Sequence, residues 1–401
     1  MSFVNNMRVR SLALPAYCCL LVLLTLLALR TPKNDTWDVL EYVANARVSQ
    51  TTDFAALHHY AYQQVESHTS AANFRSLTED GEYRKKTAGD AILFGQCLPY
   101  YSIRPLYIAA IRFAEAMGTS PVPASGLVAA VSYFVLGLVV FLWARKYVSE
   151  WGAIAASLVL MSCYPVLLIG RLYTPDGMAT CFVVVATYIL FELRKPVPGL
   201  ALLLASIFVR TDCVIFVGFF VLLLAMTEDR RIQLRPVQAL VLLLIAATSV
   251  LVINHFAGNY GFASLMHNQF VSESDPPNGV YTVTVELYLR ALASPIGIPA
   301  LLRGYAMLFL LLGLFAFVRR RGLRWDVLWN VAAVALLTGV AHFVLFPYFD
   351  DRLFVGEYIL LAVAAIGSAM PPVQEHTSEL DARKNQVAPQ FQSLVRINSM
   401  N

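Results

Sequence analysis

Charge is scarce in this chain. Only 14% of its 401 residues are Asp, Glu, Lys or Arg, where a soluble domain carries about 25%, and the shortfall excludes an ordinary soluble enzyme. Cysteine is scarce as well. Cys18, Cys19, Cys163, Cys181 and Cys213 lie in or at apolar segments and Cys97 alone in a polar stretch, so there is neither a disulfide framework nor a CxxC metal knuckle. A basic patch is also missing: the net charge of +4 is spread over residues at the ends of apolar runs, which excludes nucleic acid as a partner. What the chain does have is apolar surface, 58% of its residues, in runs too long for the core helices of a soluble domain.

A helix needs about 20 apolar residues to cross the hydrocarbon core. Runs at 11–29, 122–144, 151–170, 178–193, 236–257, 305–318, 327–346 and 353–370 read as spans. The first follows Arg8 and Arg10 and has no small-x-small cleavage site after it, so it reads as a retained anchor. The segment 200–226 is interrupted by Arg210, Thr211 and Asp212. As one helix it would hold an arginine and an aspartate near mid-membrane, each costing about 2.5 to 3.5 kcal/mol. As a hairpin it puts both at the surface.

The positive-inside rule favours the hairpin. It places Arg230, Arg231, Arg235, Arg319, Arg320, Arg321, Arg324, Arg383, Lys384 and Arg396 in the cytoplasm, against Arg290, Arg303 and Arg352 outside. The expected fold is an all-α polytopic membrane protein with about ten transmembrane helices and both termini cytoplasmic. Its parts are a cytoplasmic N-terminus with the first span (1–29), a large, partly helical first outer loop (30–121) and helices joined by short outer turns (122–257). A second outer loop (258–304), C-terminal spans (305–370) and a polar cytoplasmic tail (371–401) follow.

The chemically varied sequence then faces outward, where loops on a rigid scaffold carry function. In NDTWDVLEYVANA, Asp38, Tyr42 and Ala46 fall on one helix face. A carboxylate there, Asp35 or Asp38, can act as a general base once its surroundings tune it, although helix capping or a solvated charge explains it as well. TDFAALHHYAYQQVESH reads as an interfacial amphipathic helix, and its histidines lack metal-site spacing. Pro99 and Pro105 bracket a tyrosine-rich turn with Arg104, whose fork suits a phosphate. Three outer turns pair arginine with aspartate: Arg171 with Asp176, Arg210 with Asp212, and Arg352 with Asp350 and Asp351. Singly such pairs are worth about 0 to 1 kcal/mol. Gathered on one face they could hold a lipid phosphate.

The pattern resembles the GT-C superfamily of integral-membrane glycosyltransferases, which includes protein O-mannosyltransferases and bacterial lipid A sugar transferases. The resemblance rests on Asp35, Asp38, Glu41 and Tyr42 after the first span, YSIRPLY with Arg104 and Tyr107 before the second, and RLYTPDG with Arg171 and Asp176. RTD with Arg210 and Asp212, and the DR of YFDDR with Arg352, complete it.

The resemblance implies an inverting transferase that moves a sugar from a polyprenyl-phosphate donor to a glycan, lipid or protein acceptor, among membrane lipids, on the periplasmic face of a bacterial inner membrane. An acidic residue of the first loop is the base, Asp38 in preference to Asp35 because of its spacing to Tyr42. Glu41, Tyr42, Arg104, Tyr107, Arg171, Asp176, Arg210, Asp212 and Arg352 are expected to bind substrate. The second outer loop lacks the acidic pair of metal-dependent oligosaccharyl transferases, which leaves a divalent cation an open question. A transporter or lipid-linked-glycan flippase competes with this reading, but no internal repeat supports it. A glycan polymerase or ligase would be told apart by a pyrophosphate-linked oligosaccharide donor.

Overall fold

A computed structural model describes residues 2–30, 37–227, 229–273, 275–304 and 327–369, and every regular element among them is a helix. The chain opens with α1 (Ser2–Arg30), followed by six short helices: α2 (Asp38–Arg47), α3 (Phe54–His68), α4 (Ala71–Glu79), α5 (Gly81–Gly89), α6 (Ala91–Ser102) and α7 (Pro105–Ala116). The bundle continues with α8 (Pro121–Ala144), α9 (Glu150–Ser162), α10 (Tyr164–Arg171), α11 (Asp176–Phe191), α12 (Pro196–Val209), α13 (Cys213–Met226) and α14 (Pro236–Ala257). After α15 (Phe262–Phe270), α16 (Val285–Ala293) and α17 (Ile298–Gly304) come α18 (Val327–Leu345), a 3-10 turn (Asp351–Phe354) and α19 (Val355–Ala369).

Five stretches are long and apolar enough to cross a membrane: Leu12–Leu29, Pro121–Ala144, Pro236–Ala257, Val285–Leu302 and Leu328–Leu345. A sixth is obtained if α9 and α10, bent by 69° at their junction, count as one span. Outward-facing apolar side chains on α14, such as Val237, Leu240 and Leu244, suit a lipid surroundings better than water.

Among the described residues, five or six stretches meet this test beside the expected ten. The helices α11, α12 and α13 are shorter apolar helices of 14 to 16 residues, less than the roughly 20 a perpendicular crossing needs. The run 305–318 lies outside the described residues. In addition, one expected outer-loop stretch, Val285–Leu302, itself meets the length and hydropathy of a span.

Packing in the bundle depends on small residues that let helices approach. Tyr17 of α1 stacks on Phe141 of α8 at 4.4 Å and donates to the Gly137 carbonyl at 2.8 Å. The Tyr133 hydroxyl donates to the Met161 carbonyl at 2.7 Å, tying α8 to α9. At the RTD break the chain reverses: Arg210 reaches Asp176 at the start of α11, while Phe220 of α13 meets Phe191 at the end of α11, 5.3 Å away. A helix continuing past Arg210 would carry Phe220 away from that end.

The segment between α1 and α8 is more regular than its composition suggests. TEDGEYRKKTAGD contributes to α4 and α5, and Ser70, Asp53 and Asp90 cap the helices that follow them. Asp53 accepts from the Ala55 amide at 2.9 Å and starts α3 where the amphipathic pattern begins. His58, half-buried, bonds the Thr87 carbonyl at 3.0 Å and stacks on Tyr62.

Gly177 seats the start of α11. A Cβ there would stand 2.7 Å from the Ile169 carbonyl oxygen, a backbone atom that cannot swing aside. Overpacking of this kind costs about 1 to 3 kcal/mol, against a helix-propensity gain of about 1 kcal/mol for alanine. Gly177→Ala should therefore lower the melting temperature in detergent, whereas Gly218→Ala, whose Cβ would meet nothing within 4 Å, should not. Equal melting of the two variants would contradict this packing.

Candidate functional site

Five separate stretches deliver charged side chains to one end of the helical bundle. Asp176 opens α11, where the helix N-terminus favours a carboxylate. Its side chain, 5% exposed, receives Arg210, Arg352 at 3.8 Å and the Thr174 hydroxyl at 2.7 Å. Arg210 also grips Asp212 with a second pair of atoms, its Nε donating to Oδ1 at 3.0 Å, so one guanidinium bridges the α11 start and the α12–α13 turn.

Arg352, in the 3-10 turn, joins the rest. Its Nε donates to Asp350 at 2.9 Å and its Nη1 to Asp38 at 3.3 Å. Asp38 is the first residue of α2 and accepts a second bond, from the Tyr101 hydroxyl at 3.2 Å. Position is set by Asn45, whose amide donates to the Glu41 carbonyl at 2.9 Å and to Leu98 at 3.3 Å, fastening α2 to α6. The Asp38 side chain stays 24% exposed, so it is held but accessible.

Arg104 stands at the α6–α7 joint, with Pro105 in the first turn of α7. Its guanidinium lies 5.5 Å from the Tyr42 ring and 5.4 Å from the Tyr101 ring, and donates to the Tyr100 carbonyl at 3.3 Å. It makes no ion pair among the described residues, unlike Arg210 and Arg352. Tyr42 and Tyr101 form the wall on which this arginine rests, and Tyr107, buried with Tyr42, backs it with its ring edge to face on Tyr42 at 4.9 Å. A guanidinium presented in this way can receive an anion.

Beneath the carboxylates a cavity of about 50 Å³ runs into the bundle, lined by Asp176, Arg210, Asp212, His342 and Glu357 among others. That is room for a few waters and not for a sugar. His342 Nε2 stands 3.5 Å from Asp212.

Some of the expected site residues are brought together and others are not. Asp38, Asp176, Arg210, Asp212 and Arg352 form one network; Arg104, Tyr42 and Tyr107 flank it. Glu41 points the other way. It is wholly buried, and neither carboxyl oxygen has a hydrogen-bond partner among the described residues. Burial first, and then the Asp38 charge, hold Glu41 well above the usual carboxylate range. Arg171 closes α10, a helix that packs on the 3-10 turn carrying Arg352. Asp351 does not join Arg352 in the network: the Tyr358 hydroxyl donates to it at 3.1 Å. Asp35 lies outside the described residues.

Sequence reasoning missed Tyr101 as a ligand of Asp38 and missed His342. The one available signal for His342 was a lone imidazole in an apolar run, and intramembrane ionisable groups are functional candidates by default.

The donor set does not fit a metal ion. No group of three or more His, Cys, Asp or Glu side chains converges among the described residues, and guanidinium groups lie between the cluster's carboxylates. No family model, curated protein or solved structure matches this chain.

Removing one partner of a buried ion pair strands the other, at a cost of about 3 to 5 kcal/mol. Arg210→Gln should destabilise the fold by roughly that amount, and adding Asp176→Asn should restore part of it; strictly additive effects in a double-mutant cycle would refute the bridge. The acidity of Glu41 is testable separately. Because its folded-state value lies above its ordinary 4.5, its contribution to stability is whole below that pH and is lost as pH rises toward the folded value. Wild type should therefore lose melting temperature relative to Glu41→Gln as pH is raised from 4.5, and a gap independent of pH would contradict a buried neutral acid.

Proposed function

We propose that this chain is an integral-membrane inverting glycosyltransferase of the GT-C type, moving a sugar from a polyprenyl-phosphate donor to a hydroxyl-bearing glycan, lipid or protein acceptor. One observation supports the reading above the others: an accessible carboxylate, Asp38, positioned by Arg352 and Tyr101, stands beside an arginine, Arg104, that has no carboxylate partner among the described residues. An acid beside an arginine free to bind phosphate is what transfer from a phosphate-linked sugar requires. The ten-span topology, cytoplasmic termini and periplasmic site in a bacterial inner membrane belong to the same proposal.

In this reading Arg104 binds the donor phosphate, and Arg352 lies within reach of the same charge. Asp38 accepts the proton of the acceptor hydroxyl as its oxygen attacks the anomeric carbon. The bond from that carbon to the phosphate oxygen breaks on the opposite face, and the electron pair leaves with the polyprenyl phosphate. Arginines at the departing phosphate stabilise the charge that develops there. Asp176 and Asp212 hold Arg210 and, with Asp350, keep the surrounding charges in register. No step is assigned to a metal ion.

In proteoliposomes supplied with a polyprenyl-phosphate sugar, Asp38→Asn should lower turnover by about 100-fold or more while the protein stays folded. Asp35→Asn should remain active. Arg104→Ala should lower kcat/KM by about tenfold or more, the loss of a charge-assisted bond to the donor. An active Asp38→Asn variant would remove the base, and substrate-dependent flux with no glycosidic product would identify a transporter instead.

A further inference from the structure

The two ends of α2 build different surfaces. Asp38 opens the helix and Arg47 closes it, about 13 Å away at 1.5 Å per residue. A buried core that includes Tyr42, Ala46, Tyr107 and Ile111 lies between them.

Around Arg47 is an open cleft of about 510 Å³, whose lining includes Arg47, Gln50, Tyr60, Arg112 and Glu115. The Arg47 guanidinium lies 4.3 Å from the centre of the Tyr60 ring and donates to Gln50, while Arg112 donates to Ser49. Two arginines against one glutamate leave the lining with one net positive charge. The cleft reaches Ser120 and Pro121, where α8 begins. α8 is one of the helices long and apolar enough to cross a membrane, and a crossing that begins at Pro121 would set the cleft where hydrocarbon gives way to water.

Across the last turn of α7 is an apolar groove of about 390 Å³, lined by Phe113 and Met117 of α7, Leu127, Val131 and Val135 of α8, and Phe182 of α11 among others. The α8 residues follow Pro121 by 6 to 14 positions, a depth of about 9 to 21 Å, comparable with one leaflet of a core about 30 Å thick. Phe113 and Met117 are 67% and 61% exposed. Cleft and groove flank the same last turn of α7, with Arg112, Glu115 and Ala116 lining one and Phe113 and Met117 the other.

We propose that cleft and groove together bind one anionic phospholipid, its phosphate on Arg47 and Arg112 and an acyl chain along Phe113, Met117 and Val131. Three features select this occupant. A single net positive charge complements a single phosphodiester, planar guanidinium forks match phosphate oxygens, and the apolar lining lies at acyl-chain depth beside a polar cleft. The site is separate from the Asp38 cluster and does not rest on glycosyl transfer.

Native mass spectrometry of the full chain in detergent, titrated with phosphatidylglycerol, tests it. Wild type should retain bound lipid. The Arg47→Gln/Arg112→Gln double variant should lose about tenfold or more in occupancy, at about 1 kcal/mol per basic residue. Val131→Trp, which fills the groove and leaves both arginines in place, should lose it as well. Unchanged retention in either variant would overturn the proposal, as would equal retention of phosphatidylcholine or complete displacement by inorganic phosphate, which would make the headgroup alone the ligand.

Discussion

The architecture turns on two guanidinium groups. Arg210 and Arg352 each touch carboxylates from different stretches of chain: Arg210 joins Asp176 to Asp212, and Arg352 joins Asp38, Asp176 and Asp350. Charges this far from bulk water persist only in mutual company. The same pairing therefore fixes where α2, α11, the α12–α13 turn and the 3-10 turn can sit relative to one another. Apolar packing brings helices side by side without choosing register along their axes. Bidentate ion pairs at the helix ends do choose it.

That constraint separates two kinds of charged group at this end of the bundle. Asp176, Asp212, Arg210 and Arg352 are mutually satisfied and serve as a frame. Asp38 and Arg104 remain available: Asp38 is partly exposed, and Arg104 stacks on tyrosines in place of pairing with a carboxylate among the described residues. Glu41, one turn from Asp38 and sealed in the interior, shows what happens to an acid with no such partner, since burial holds its carboxyl well above the usual carboxylate range. Three residues of sequence thus separate a partly exposed, hydrogen-bonded carboxylate from a wholly buried one without a partner among the described residues.

Much of this site was legible in the chain as written. Scarce charge in an apolar sequence makes each Arg–Asp pair conspicuous, and RTD, RLYTPDG and YFDDR each contributed a member of the network. The hairpin at Arg210 followed from the positive-inside count of basic residues, and the chain reverses there. Other features were hidden because they are tertiary. Nothing local shows that Arg210 prefers Asp176, 34 residues away, that Tyr101 bonds Asp38, or that His342 comes within reach of Asp212. Glu41 was expected to bind substrate beside Asp38, and only packing shows it buried away from the network. The distance between the expected ten spans and the five or six long apolar stretches among the described residues has a related reason: hydropathy measures apolar length, whereas the 69° bend between α9 and α10 and the short helices α11 to α13 depend on neighbours.

Mass spectrometry of envelope glycans and glycolipids, comparing cells with and without the chain, bears most directly on the central claim that this charge network serves sugar transfer. One glycosidic unit should disappear when the chain is removed, and wild type, but not Asp38→Asn, should restore it. Identical glycans in all three backgrounds would contradict the account.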